Sequence, residues 1–189
     1  MPPKKKRYLG PTGARLLKIA HLLFAMMWTG CGIAVLLVLF VSQPENADEH
    51  HLRSQALKVI DDFGIVPGAL GCMFTGILYG LKTPWGFFRQ KWMIVKWIVF
   101  MILAVAGLIA LNTWINQNAL LMHDDRFVAE QSPSFHGNTL LLMVFCPLQL
   151  SGLIFMTFIS VFKPWKGRKR NWVPPLPEGT PVMSVEDNV

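Results

Sequence analysis

Charged side chains are scarce in this sequence. Asp, Glu, Lys and Arg make up 15% of the residues, against 52% hydrophobic ones. A water-soluble domain carries charge at about a quarter of its positions, so the shortage excludes that class and assigns the 189-residue chain to a bilayer. Within four long apolar stretches the shortage becomes near absence: only His21 in the first and Lys96 in the third can carry a charge at ordinary pH. Phosphate-binding glycine loops, nucleophile elbows, Cys-x-x-Cys pairs and HExxH zinc sequences are missing as well, which removes the common soluble-enzyme chemistries. Cysteine is sparse too. Cys31, Cys72 and Cys146 fall on three different stretches, an odd number in lipid that reads as small packing residues rather than disulfides or metal ligands.

The apolar stretches run over about 19–41, 63–81, 93–114 and 139–162. Each has about the 20 residues that a helix needs to cross the hydrocarbon, and none shows the ~10-residue alternation of a barrel strand. The fold class is therefore all-α, a four-transmembrane-helix bundle over residues 19–162, with a basic N-terminal segment, 1–18, and a basic then Pro-rich tail, 163–189. The first stretch follows Lys4 to Arg7 as a signal peptide would, but it is too long for a signal core and leads to no small-residue cleavage site, so it stays as an anchor.

Orientation follows from the basic residues. Fourteen lie before, between and after the spans on the side of the N-terminus, fifteen with Lys96, whereas the other side has only Arg53, Lys58 and Arg126. The positive-inside rule then puts both termini in the cytoplasm, and the location expected is a bacterial cytoplasmic (inner) membrane. The net charge of +7 reflects this topology and attraction to anionic headgroups, not a nucleic-acid partner. Trp85, Trp92, Trp97 and Trp165 fall near the cytoplasmic ends of spans and Trp114 near an outer end, as a headgroup belt would; Trp28 alone lies deep in a span.

Gly64, Gly68, Gly71, Gly76 and Gly80 strip side chains from one stripe of the second span, where either another helix or a flat cofactor can approach. Pro67 is expected in the first turn of that helix, with Asp61 or Asp62 capping it. Pro147 is expected to bend the fourth span and leave Gln149 as a rare polar group there. The segment from Asn116 to Asn138 is long enough to hold a short surface helix.

His21 lies two residues into its span and Lys96 three into its own, so both sit within roughly one turn of the same edge of the hydrocarbon. One site can contain both. A neutral imidazole is a common axial ligand of haem iron, Met26, Met73 or Met101 would be soft partners, and a lysine can pair with a propionate or ligate as an amine. The alternative is structural: Lys96 snorkels to the headgroups and His21 bonds to a neighbouring carbonyl. On the other side, Asp48, Glu49, His50 and His51 with His123, Asp124, Asp125 and His136 offer the imidazole and carboxylate mixture that divalent copper or zinc prefers.

The order His21-x6-Trp28-x-Gly30 within Leu16 to Gly30 resembles the first helix of the HemJ-type membrane proteins and their CopD-like relatives. The likeness extends to Val66-Pro67-Gly68 with Thr75-Gly76, to Lys91-Trp92 and Lys96-Trp97, and to Lys163-Pro164, covering about four fifths of the chain. It departs at the fourth helix, which begins Asn138-Thr139-Leu140 without the acidic element of the HemJ pattern, and this places the chain with the uncharacterised branches. The resemblance implies a four-helix bundle binding haem b, with His21 at the iron and Lys96 matching the lysine of the third helix; Trp28 and Met73 complete the expected cofactor-binding residues. It also implies a redox role like HemJ-type protoporphyrinogen oxidation, or copper handling as in CopD-like proteins. The partners expected are the lipid bilayer, a porphyrin or quinone, and a second copy or another membrane subunit docked on the glycine-rich helix. An accessory subunit without a cofactor is the third alternative.

Overall fold

The computed structural model describes residues 9–82 and 91–164, and among these the backbone is helical apart from short joints, with no strand. The basic residues Lys4 to Arg7, Arg89 and Lys166 to Arg170, the residues Trp85 and Trp165, and the Pro-rich tail lie outside the described residues. Four helical rods are long and apolar enough to cross a membrane. The first is α1 (Pro11–Val41); the second joins α2 (Ala47–Ile60) to α3 (Val66–Lys82); the third joins α4 (Lys91–Val105) to α5 (Asn112–Asp124); the fourth is α7 (Pro133–Phe162), preceded by the short α6 (Arg126–Glu130). The protein is an all-α four-helix bundle and a multi-pass membrane protein.

The rods are longer than hydropathy indicates. At 1.5 Å per residue they span roughly 45–55 Å, against about 30 Å of hydrocarbon, so polar helix continues beyond the apolar spans. The second rod starts not near residue 63 but at Ala47. Asn46 caps it by accepting from the Glu49 amide at 3.0 Å, and Glu49 reaches back to the Glu45 amide at 2.8 Å and to Asn46 Nδ2 at 2.9 Å. This reciprocal cap starts a polar helix that hydrophobicity alone cannot signal. The expectation of a cap at Asp61 or Asp62 is thereby corrected: both lie inside the rod, and Pro67 follows a helix already formed. A π turn over Asp61–Ile65 makes that possible, because its wider register, with the Val66 amide bonded to Asp61 O, precedes the residue that has no N–H to give. A second π turn, Ala106–Leu111, interrupts the third rod at similar depth.

The expected surface helix between Asn116 and Asn138 is present as α6, where Asp125 accepts from the amides of Phe127 and Val128; α5 extends into the same segment as far as Asp124. The fourth rod runs unbroken through Pro147. It ends at Lys163, which adopts a left-handed conformation with φ 45°. Pro164 disfavours continuing the helix through the preceding residue, so the Lys163-Pro164 pair stops the rod.

In the bundle α1 packs on α3 and α7, α4 on α7, α2 on α5 and α5 on α7. Two cores result. Trp28, Cys72, Phe100, Leu103 and Met156 fill the half nearest the N-terminus, and Val35, Leu57, Leu111, Leu142 and Cys146 fill the other. The three cysteines are free, and Cys72 and Cys146 are buried as packing residues. The glycine stripe is spent within the chain: a Cβ on Gly68 would lie 2.9 Å from the Trp28 amide nitrogen, Gly64 faces Cys31, and Gly71 faces the Phe24 ring. These glycines bring α3 against α1, the close helix packing that such a stripe permits.

Candidate functional site

The two charged residues of the apolar spans line one cavity. It has a volume of about 250 Å³ and lies at the end of the bundle where α1 and α4 begin and α3 and α7 end. His21 comes from α1, Met73 and Gly76 from α3, Trp92, Lys96 and Trp97 from α4, and Ser160 from α7. Leu22, about half exposed, forms part of its wall, so the cavity opens on the lipid-facing surface.

Gly76 shows how the sequence makes the space. A Cβ there would meet only the Trp97 ring at 3.7 Å and His21 Cε1 at 3.8 Å. Its missing side chain leaves α3 flat between an imidazole and an indole. The glycine stripe thus divides by position: Gly64, Gly68 and Gly71 serve helix packing, whereas Gly76 and Gly80 line the cavity.

Hydrogen bonds fix both titratable side chains. His21 Nδ1 is 2.8 Å from Thr75 Oγ1, and that hydroxyl already lies 2.6 Å from Gly71 O, to which it donates. With its proton committed, Thr75 accepts from His21, and the network assigns the imidazole proton to Nδ1. Nε2 then carries the lone pair, and it has no hydrogen-bond partner among the described residues. Lys96 Nζ donates to Ser160 Oγ at 2.7 Å. The acceptor comes from a neighbouring helix: Ser160 lies two residues from the end of α7.

The remaining candidates separate. Met73 lines the cavity, but Met26 and Met101 face outward with at least half of their surface exposed, so they supply no ligand here. Trp28 is buried outside the cavity wall, edge-on to Phe100 at 5.9 Å between ring centroids, and Phe100 is the wall residue. Trp92 and Trp97 are correctly placed along the sequence for a headgroup belt but are walls of the cavity instead, because the face of α4 that carries Lys96 also carries them. Thr75 and Ser160 are the residues whose roles in holding the site the sequence did not disclose, whereas Gly76 was legible as part of the glycine stripe. Thr75 lies in the Thr75-Gly76 pair, whose signal was only a resemblance.

At the far end His50 and His51 are occupied structurally. His51 Nδ1 is 3.0 Å from Met122 O, His50 stacks edge-on against Phe135 at 5.4 Å and lies 4.0 Å from Glu130, and Arg126 pairs with Asp48. Among the described residues no three His, Cys, Asp or Glu side chains gather into a metal-binding group. No copper or zinc site is assembled on that side among the described residues: Asp48, His50 and His51 join α2 to α5, α6 and α7, whereas His123 and Asp124 are exposed.

Comparison with protein-family models, with curated proteins and with solved structures gives no match.

Proposed function

We propose that this membrane protein binds haem b in the cavity between α1, α3 and α4 and serves a redox role resembling HemJ-type oxidation of protoporphyrinogen. One observation carries the reading: from the wall of an apolar cavity that also holds an ammonium group, His21 presents a ring nitrogen with no hydrogen-bond partner among the described residues. The donor set fits a flat apolar dianion. Trp92, Trp97, Phe100 and Met73 are apolar walls, Gly76 and Gly80 leave room for a plane, and Lys18, Lys96 and Lys163 are cations at the site. His21 Nε2 would hold the iron, with Thr75 fixing the tautomer, as outer partners do for metal-bound histidines. Lys96 would meet a propionate. Bound haem supplies one-electron chemistry at its iron; the protein orients the ring and keeps water from its buried face.

The sequence resemblance and the shared cavity support the same site, and the charge asymmetry of the chain supports an orientation with both termini in the cytoplasm of a bacterial cell. The experiment is an absorption spectrum of protein purified in detergent from cells supplied with a haem precursor. A Soret band that His21→Ala abolishes is the result expected. A colourless preparation that stays colourless when haem is added to the folded protein overturns the proposal.

A further inference from the structure

Beyond the Trp28–Phe100 contact lies a second cavity, of about 30 Å³. A single water needs roughly 10–15 Å³ of such space, so the chamber has room for one or two. Both π turns border it, through Asp61 and Ile65 on one rod and Gly107 and Leu111 on the other, and Gln149 adds a polar group from α7. Gln149 Nε2 donates to Leu103 O at 2.9 Å, a carbonyl just ahead of the second π turn.

Asp61 is the chemical group of this chamber. Its side chain is almost wholly buried, at 3% exposure. Asn112 Nδ2 donates to Oδ2 at 2.6 Å, and Oδ1 has no hydrogen-bond partner among the described residues. No cation is available to that oxygen within the chamber. Lys58, one turn earlier on the same rod, donates to Asp62 at 2.9 Å and to Asn116. Cys146 from α7 is the other titratable neighbour, while α1 presents Trp28, Gly32 and Val35 and the third rod presents Gly107, Leu111 and Ile115. A buried carboxylate among apolar walls with no cation bonded to it is costly, and in membrane proteins such groups mark ion or proton sites.

A polar seam leads to it from Lys58 and Asp62. Lys58, in the last turn of α2, and Asp62, in the π turn, are about one third exposed, Asn116 Nδ2 donates to Asn112 O at 2.8 Å, and Asn112 reaches Asp61. Between this chamber and the His21 cavity stand Trp28, which lines the first, and Phe100, which lines the second, edge-on to one another.

We infer that Asp61 is a proton-binding site of the membrane domain, exchanging with the surface where Lys58 and Asp62 lie. A hydronium proton delivered by water in the chamber bonds to Oδ1, giving the carboxylic acid and leaving water; release reverses the step. The inference stands independently of any cofactor in the first cavity.

The test is infrared difference spectroscopy of the whole protein in nanodiscs, titrated with acid. The result expected is a C=O stretch of a shielded carboxylic acid that grows as pH falls, is absent in Asp61→Asn, persists in Asp62→Asn and is indifferent to added sodium or potassium chloride. Asn112→Ala shifts the band to higher frequency, because the carboxyl loses a hydrogen bond; this keeps the assignment decidable if Asp61→Asn does not fold. A band that survives Asp61→Asn, vanishes in Asp62→Asn, ignores Asn112→Ala or never appears overturns the inference. So does a band abolished by sodium at constant pH, which would make the chamber a metal-cation site.

Discussion

Thr75 Oγ1 sits between His21 Nδ1 and the Gly71 carbonyl, 2.8 Å from the first and 2.6 Å from the second, so one hydroxyl fixes the tautomer of an imidazole on another helix. The geometry combines the habit of helical threonines of donating one turn back with the close approach of α1 and α3 that Gly68 and Gly71 permit. Thr75→Val keeps the shape and deletes the acceptor. Haem affinity is expected to fall by on the order of 10- to 100-fold, as for other outer partners of ligating histidines, with the helical content unchanged. Haem titration followed in the Soret region, beside far-ultraviolet circular dichroism, checks both halves.

Lys96 separates binding from stability. Its ammonium is held inside the bundle by Ser160, and replacing a buried charged group with an apolar one of similar volume is often neutral or stabilising. Lys96→Met should therefore leave the thermal midpoint unchanged or raise it while weakening haem binding on the order of tenfold, the loss expected when one charge-assisted hydrogen bond goes. A melting curve and a haem titration on the same preparation measure the two effects. A fall in both would assign Lys96 to packing alone.

Two glycines in contact-poor and contact-rich places give opposite outcomes. A Cβ on Gly68 would lie 2.9–3.0 Å from the backbone nitrogen and Cα of Trp28, which cannot move without shifting α1. Gly68→Ala should cost about 1–3 kcal/mol, as overpacking does. Gly30 lies within α1 and has nothing within 4 Å of the added carbon, so Gly30→Ala should stabilise by up to about 1 kcal/mol through helix propensity. Thermal unfolding in one detergent ranks the three proteins.

Topology is open to a direct check. With both termini in the cytoplasm, green fluorescent protein fused after Val189 should fluoresce in a bacterial host and alkaline phosphatase at the same point should be inactive. The reverse pattern would invert the bundle and place the His21 cavity on the outer face.

Hydropathy located all four rods because a span must be apolar along its length to lie in lipid, and this holds whatever the partners of each helix are. It also singled out His21 and Lys96, since a charged group is conspicuous against such a background. It missed where the rods start. The Asn46 and Glu49 cap and the polar α2 owe their helix to local hydrogen bonds, and a polar helix leaves no mark on an apolar scale. Asp61 was legible only as a cap for the same reason: at the margin of an apolar run, sequence cannot tell an exposed end from a buried turn.

The sequence by itself determined the class of protein and the depth of its two charged groups, because crossing a bilayer is a property of each segment alone. Which way every helix faces is a property of pairs. Only the packing of α3 on α1 and of α4 on α7 decided that Gly64, Gly68 and Gly71 close one seam while Gly76 opens a cavity. The same packing turned Trp92 and Trp97 into walls rather than a belt and enclosed Asp61 between two π turns. Rotating a helix in lipid changes little in hydropathy and everything in which side chains meet, so contact between helices had to settle it.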